Sequence, residues 1–440
     1  MKTLGVIAEY DPFHNGHLHH LRESLRLTGA DKSVCVMSGD FLQRGGPALT
    51  DKRMRAEAAV RGGIDLVIEL PFVYASGGAE QFARGAVGIL DGLGLVDYLA
   101  FGSESGEIAG LQKIAGLFVN DSEIVNALIH DAMKTGISYP AALEKAVVSK
   151  LGAAVGRHMK GANNTLAIEY LKELLRLESG ITPITIKRHK ASLNEIDKES
   201  GIAGATAIRE LLLNHTYCSP ELSLRGAKRR GNPHDEATNH SINDIDSIKP
   251  YVPESTFKLL SGYLQSGGRF LSIDDLLPML AYAISSSDPE QLSHILSATE
   301  GLEHRLIGAV RRGGDMADII RLSKTKRYTL TRIRRLITHT VTGLTKEAMT
   351  AAAAEPLYAR VLAFNEQGAK LIRLIKKKGK VPVITNANRE TELLADSAAT
   401  FSYDQKAADL HRILEYGALN GFDDLKIPPV AVTAPLSLRA

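Results

Sequence analysis

The 440-residue chain carries 53 Lys and Arg against 50 Asp and Glu, a net charge of +3, with 44% hydrophobic and 23% charged residues. This is the composition of a globular chain with room for two or three domains, and it excludes collagen-like, low-complexity and wholly disordered classes. No apolar run reaches membrane-spanning length, two cysteines exclude a disulfide framework or a zinc quartet, and the strand right after Met1-Lys2-Thr3 leaves no room for a cleavable signal, so a cytoplasmic protein without a membrane partner is expected.

Residues 4–8, Leu-Gly-Val-Ile-Ala, are an apolar run that predicts a buried first strand. Residues 9–13 turn the chain, with Pro12 fixing a backbone angle and removing an amide donor. A helix then starts at His14, with Leu18 and Leu21 on its apolar face. A strand feeding a helix through a tight turn sets the free helix amides at the carboxyl end of the strand, where phosphate binds at little cost. His14 and His17 are three apart and are expected on one face of the first turn. Gly16 leaves room for a base or ribose to approach the backbone. The same spacing suits two metal ligands, but a third is not evident, and His19 and His20 read as plain helix residues.

Residues 33–38 predict a second strand, followed by the polar, Gly-flanked loop Gly39-Asp40-Phe41-Leu42-Gln43-Arg44-Gly45-Gly46. Such a loop at a strand end forms sites in open α/β sheets. A helix over 50–61 capped by Thr50 or Asp51, a strand over 64–70 stopped by Pro71, a helix over 79–91 and a strand over 97–101 follow. Gly102, Ser103 and Glu104 close that strand. The alternation predicts an α/β fold with a Rossmann-like, doubly wound parallel sheet.

Residues 107–178 are helical in period, broken at 161–165, where Asn163 or Asn164 serves as a simple N-cap. A fifth strand is expected over 184–188. Residues 204–209, Gly-Ala-Thr-Ala-Ile-Arg, precede a further helix. Residues 215–247 are polar and irregular, a linker or insertion whose basic cluster 225–230 reads as a solvated loop before it reads as an RNA contact. From 253 to 378 the pattern predicts helix after helix, the last over 364–378, with no strand between. Cations concentrate at 305–346, opposed there by Asp315 and Asp318. The segment 329–343 sets Leu330, Ile333, Leu336, Ile337 and Val341 on one stripe. Arg332, Arg334, Arg335 and His339 lie mostly off it, as an RNA-facing or merely solvated surface. Residues 381–385 read as extended and 402–419 as helix. The expected division is a nucleotide-binding domain over 1–214, a linker over 215–250 and a mainly helical, RNA-binding domain over 251–440.

The order His14-Asn15-Gly16-His17 after a first strand resembles the HxGH signature of the HIGH-type nucleotidyltransferase superfamily. The resemblance implies imidazoles that stabilise negative charge on an α-phosphate as pyrophosphate leaves. The superfamily's late Ile-Ser-Ser-Thr-x-Ile-Arg motif is matched here by Thr206, Ile208 and Arg209, with Gly204 and Ala205 in place of serines. That implies phosphate binding through Thr206, Arg209 and backbone amides, against the plainer reading of Thr206 as a helix cap.

A closer resemblance rests on Ala8-Glu9-Tyr10-Asp11-Pro12-Phe13-His14-Asn15-Gly16-His17, on Met37-Ser38-Gly39-Asp40-Phe41-Leu42-Gln43-Arg44-Gly45, on Ile68-Glu69-Leu70-Pro71 and on Phe101-Gly102-Ser103-Glu104. These strings are similar to the tRNA(Met) cytidine acetate ligase family, as are Asn163-Asn164, Arg327-Tyr328-Thr329 and Leu362-Ala363-Phe364-Asn365. The resemblance implies an enzyme that uses ATP to turn acetate into acetyl-adenylate. The acetyl group then goes to N4 of the wobble cytidine of elongator tRNA(Met). No obligate protein partner is evident. It implies an ATP site at Ile7, Ala8, Glu9, Tyr10, Asp11, Pro12, Phe13, Asn15, Gly16, Leu18, His19 and His20, with Gly102, Asn163, Asn164, Arg188, Thr206 and Arg209. Asp11 stands where Asn is more usual, and residues 220–243 look like an insertion.

Adenylation needs positive donors around the α-phosphate, which His14, His17, Arg188 and Arg209 can give. Asp40, Gln43 and Arg44 can orient acetate or the cytidine, although Arg44 can instead pair with a carboxylate. Mg²⁺ is expected only as a companion of ATP. Two other readings stay open: a small-molecule cofactor nucleotidyltransferase, and a non-catalytic RNA-binding protein.

Overall fold

The computed structural model describes residues 1–137, 139–187, 196–197, 202–214, 242–325 and 328–433. The chain opens with β1 (Thr3–Ala8), β2 (Lys32–Ser38), β3 (Leu66–Leu70), β4 (Tyr98–Ser103) and β5 (Thr182–Lys187). A short antiparallel pair follows, β6 (Ile196–Asp197) and β7 (Ile202–Ala203). Three strands return late: β8 (Ala359–Phe364), β9 (Val383–Ile384) and β10 (Val430–Ala431). The main sheet has the order β10-β8-β3-β2-β1-β4-β5, with β9 also on β8. Its first five strands are parallel, with Val6 opposite Cys35 and Val6 opposite Ala100. Strand order reverses at β1, so a crevice opens at the carboxyl ends of β1 and β4, where such sheets bind ligands.

Helices cover both faces, which is why the strands read as unbroken apolar runs rather than alternating ones. On one face Val34, Leu66 and Ile68 pack with Phe72, Phe82 and Val87, and the same core runs on into Leu276, Leu280, Leu336 and Ile337. On the other face Leu4, Val6, Cys35 and Val67 pack with Phe13, Leu21 and Leu25. The early and late parts of the chain therefore share one core.

The expected uninterrupted run of helices after residue 253 is corrected at β8. This strand joins the N-terminal sheet antiparallel to β3, with Ile68 opposite Val361. A six-residue apolar run with one arginine does not distinguish strand from helix by period. What decides for strand is long-range: buried Arg360 donates to Asp424 at 2.6 Å and lies 3.4 Å from Glu69. The neighbouring Lys52 Nζ, wholly buried, meets Glu69 at 2.8 Å, Asp424 at 2.9 Å and Asp40 at 3.5 Å. Burial alone would raise the Asp424 carboxyl, but Lys52, Arg360 and Arg53 overcome it and hold it well below the usual range. This network ties the last part of the chain to the sheet.

Smaller boundary shifts are local. The helix expected over 364–378 begins at Glu366, capped by Asn365, because β8 claims Phe364. The strand expected over 184–188 is Thr182–Lys187. The helix expected over 402–419 is Ala398–Tyr416. Asp51, not Thr50, caps the helix Lys52–Arg61. The polar stretch 215–241, Arg188, Lys326 and Arg327 lie outside the described residues. Among the described residues, no helix is long and apolar enough to cross a membrane.

Candidate active site

The turn after β1 delivers the first helix, Asn15–Thr28, with His14 as its N-cap. His14 therefore stands just before the first turn rather than within it. Its Nδ1 accepts the Gly16 amide at 3.1 Å, and the Nδ1 of His17 accepts the His14 amide at 3.3 Å. Histidine thus fills both places of a capping box. The two rings stack with centroids 3.7 Å apart. A neutral imidazole has one acceptor and one donor nitrogen, so backbone donation to both Nδ1 atoms leaves Nε2–H as the donor on each ring. Gly16 has a different use from the expected one. A Cβ there would lie 2.9 Å from the His14 ring, so the missing side chain makes room for His14 itself.

These residues line a cavity of about 680 Å³ at the carboxyl ends of β1, β4 and β5. Of the expected site residues, Ile7, Ala8, Glu9, Tyr10, Asp11, His14, Gly16, His17, His19, His20, Arg44, Gly102, Asn163, Thr206 and Arg209 line it. A second helix, Ala205–Asn214, also begins there, with Gly204, Ala205 and Thr206 on the wall. Two helix N-termini at one cavity favour an anion. Thr206 is the second residue of its helix, two places past Gly204, where a cap would stand.

Other expected residues stand elsewhere. Asp40 is buried in the Lys52 network, where its Oδ1 accepts the Lys52 amide at 2.9 Å, and it does not line the cavity. Burial would raise its carboxyl, but Lys52 and His411 outweigh that and hold it low. Pro12, Phe13, Asn15, Leu18 and Asn164 are also absent from the lining. Phe13 is a core residue that fills the space over Gly62. Asn15 donates to the Pro250 carbonyl at 2.9 Å, and Leu18 packs on the core. Neither asparagine caps the helix Ala162–Arg176, because Gly161 holds that position. Instead the Glu104 carboxylate accepts the amides of Asn163 at 3.1 Å and Asn164 at 2.7 Å, and Asn164 Oδ1 accepts the Glu104 amide at 3.0 Å. An acid at a helix start is the favourable sign for the dipole. Asn164 is thus buried and fixes the loop after β4, while Asn163 faces the cavity.

Among the described residues, charge in the cavity is balanced. They contribute four carboxylates, Glu9, Asp11, Glu210 and Asp274, and four cations, Arg44, Lys187, Arg209 and Arg334, to its lining. Two pairs neutralise internally. Arg44 meets Glu9 at 3.1 Å, while the other Glu9 oxygen accepts the Gln43 amide at 2.8 Å. Arg209 pairs with Asp11, whose Oδ1 accepts the Leu49 amide at 2.8 Å. Among the described residues, no group of three or more His, Cys, Asp or Glu stands ready to hold a metal ion.

The HIGH Nucleotidyl Transferase family profile matches residues 1–421. The tRNA(Met) cytidine acetate ligase of Caldanaerobacter subterraneus subsp. tengcongensis is 36% identical over 414 residues, 94% of this chain and 95% of that protein. The tRNA(Met) cytidine acetate ligase of Lysinibacillus sphaericus is 34% identical over 436 residues, 98% of this chain and 100% of that protein. The chain belongs to the tRNA(Met) cytidine acetate ligase family. The crystal structure of Thermotoga maritima TmcAL bound with alpha-thio ATP shares 31% identity, covers 98% of this chain and 100% of that one, and superposes with a TM-score of 0.85. As a member of this family, the chain is a nucleotide-binding ligase with ATP as its substrate.

Family strings and geometry agree at the first helix and at Glu104-Asn163-Asn164. Sequence reasoning missed four things. Glu104 stood in a quoted string, yet its capping role needs a helix 59 residues away. Arg55, wholly buried, donates to the carbonyls of Glu9 at 2.6 Å and Ser38 at 3.1 Å and so fixes the ends of β1 and β2. Lys52 anchors the network above. Arg334, counted with the RNA-facing or solvated surface, lines the cavity, and so does Thr331. No local signal marks any of the last three.

His339 was expected off the apolar stripe of the helix Leu330–Thr342, and it is buried instead. Its Nδ1 meets Ser297 Oγ at 2.9 Å and its Nε2 meets the Ser76 carbonyl at 3.0 Å. This helix packs on two sides, by its stripe and by His339, against parts of the chain more than 200 residues apart.

Proposed function

We propose that the chain makes acetyl-adenylate from acetate and ATP and transfers the acetyl group to N4 of the wobble cytidine, position 34, of elongator tRNA(Met), giving N4-acetylcytidine. The observation that carries this reading is the paired His14–His17 cap, which lines the cavity at a helix N-terminus. An acetate oxygen attacks the α-phosphorus and the bond to the β-phosphate oxygen breaks. Negative charge grows on the α-phosphate oxygens, and His14 and His17 donate to it. The cytosine N4 then attacks the acetyl carbon, AMP leaves, and the amine proton is lost. That second step needs chiefly positioning of an unstacked base. Mg²⁺ would enter with ATP, since the described residues offer it no cluster of ligands of their own.

The helices of 251–440 supply the tRNA-binding part of this reading, with the strands β8 to β10 given over to the sheet. Arg305, Arg311, Arg312 and Lys324 are exposed there and suit a phosphate backbone. A tRNA substrate and an unpaired, buried Cys35 fit a cytoplasmic location.

The test mixes protein, ATP, labelled acetate and elongator tRNA(Met). Label in the acid-precipitated RNA, at the wobble cytidine after nuclease digestion, is the expected result. ATP-dependent transfer of AMP to a small phosphorylated acceptor, with no label in RNA, would support the cofactor nucleotidyltransferase instead. Binding of tRNA without ATP turnover would support the non-catalytic reading.

A further inference from the structure

Among the described residues, three arginines line the cavity, and two bring their own counter-charge. Arg44 has Glu9 and Arg209 has Asp11. Arg334 differs. No carboxylate of the described residues pairs with it, and its buried Nε has no hydrogen-bond partner among them. Burial lowers its pKa, Arg44 lowers it further, and Asp274 opposes both. Arg334 in turn helps lower Arg209. The three guanidinium groups therefore share one electrostatic neighbourhood.

The backbone of Arg334 is also held firmly. A Cβ on Gly45 would lie 2.5 Å from the Arg334 carbonyl carbon, and Gly45 has φ +84°. The Gly46 amide donates to Thr338 Oγ1 at 2.8 Å. The loop after β2 thus lies directly on the helix Leu330–Thr342, and this contact sets where Arg334 enters the cavity. A half-buried guanidinium with an unused donor is costly unless an oxyanion completes it. ATP carries several negative charges into a lining whose described residues cancel in charge. An arginine fork matches phosphate oxygens in two-point geometry.

We infer that Arg334, contributed by the helical part of the chain, binds the polyphosphate tail of the nucleotide and is not part of the RNA-facing surface. The inference rests on the nucleotide part of the function proposed above and is independent of acetate and tRNA.

Full-length wild type, Arg334→Ala and Arg334→Gln are titrated calorimetrically with ATP, AMP and inorganic tripolyphosphate, and by filter binding with elongator tRNA(Met) in the absence of ATP. Loss of one charge-assisted contact is expected to weaken ATP and tripolyphosphate on the order of 10- to 100-fold. AMP should change less than about threefold and tRNA less than about twofold. Arg334→Gln keeps a polar side chain and the three-carbon stem while removing the charge, so it carries the test if the alanine variant melts early. Equal weakening of ATP and AMP, or loss of tRNA binding with ATP binding intact, overturns the inference. So does a wild type that binds neither ATP nor tripolyphosphate. A failed acetyl transfer with this pattern intact would count against the ligase chemistry and leave Arg334 in place.

Discussion

Asp11 and Arg209, 198 positions apart, form a buried ion pair on the wall of the cavity at the sheet's carboxyl edge. The Asp11 side chain is wholly buried and that of Arg209 is 12% exposed. Here the carboxylate cancels the arginine that the phosphate motif supplies, and burial together with Arg334 pulls Arg209 down to about 10 against the opposing pull of Glu9. Asp11→Asn keeps an acceptor for the Leu49 amide and removes the counter-charge. ATP should then bind about fivefold more tightly, the effect of roughly 1 kcal/mol of relieved repulsion. Asp11→Ala leaves Arg209 buried without its partner and should cost about 3–5 kcal/mol of stability. Calorimetric titration and urea unfolding check both. Weaker ATP binding by Asp11→Asn would mean that the carboxylate orients Arg209 rather than restraining it.

His14 caps the helix, and the proposed mechanism gives it a second, separable job, donating to phosphate. Asn is as good an N-cap as any residue but lacks the Nε2–H reach into the cavity. In His14→Asn, stability should stay within about 1 kcal/mol of wild type. Acetate-dependent exchange of pyrophosphate into ATP should fall about 100- to 1000-fold. An exchange rate within tenfold of wild type would remove His14 from the chemistry.

Gly45 has no room for a side chain and no freedom to take one cheaply. Gly45→Ala should lose at least about 1–3 kcal/mol from its left-handed backbone alone, with the clash against the Arg334 backbone added. Because the same contact sets Arg334, ATP affinity should fall with it. A denaturation midpoint and ATP affinity both equal to wild type would show that the loop and the helix are not coupled.

His339 sits neutral between Ser297 and Ser76. Burial and Arg335 pull its pKa down to about 3, with the Ser76 carbonyl opposing. In the unfolded chain an imidazole titrates near ~6.5. Between about pH 6.5 and 3 the unfolded state therefore holds a proton that the folded state lacks, so wild type loses stability as pH falls. The limiting slope is about 1.4 kcal/mol per pH unit. In His339→Gln this contribution vanishes. Urea unfolding of both proteins at pH 7.5 and at pH about 5 checks it. A stability difference that does not change with pH would mean that His339 titrates in the fold as it does in the unfolded chain.

Much of this protein is determined by short stretches of sequence. The strand, turn and histidine pair of residues 4–17 form one local unit, because strand burial, a proline turn and a helix cap all depend on neighbours within a few residues. The glycine-flanked loop after β2 and the Thr206–Arg209 helix start are legible for the same reason. Local pattern could not assign roles that depend on distant partners. β8 is a strand because β3 and Asp424 receive it. Asp40 is structural because Lys52 is buried beside it, and Asn164 holds the loop after β4 because Glu104 lies opposite. Arg334 lines the cavity because Gly45 lets a loop nearly 290 residues earlier press onto its helix. A charge is placed by whichever group lies across from it, and only the tertiary structure chooses that group.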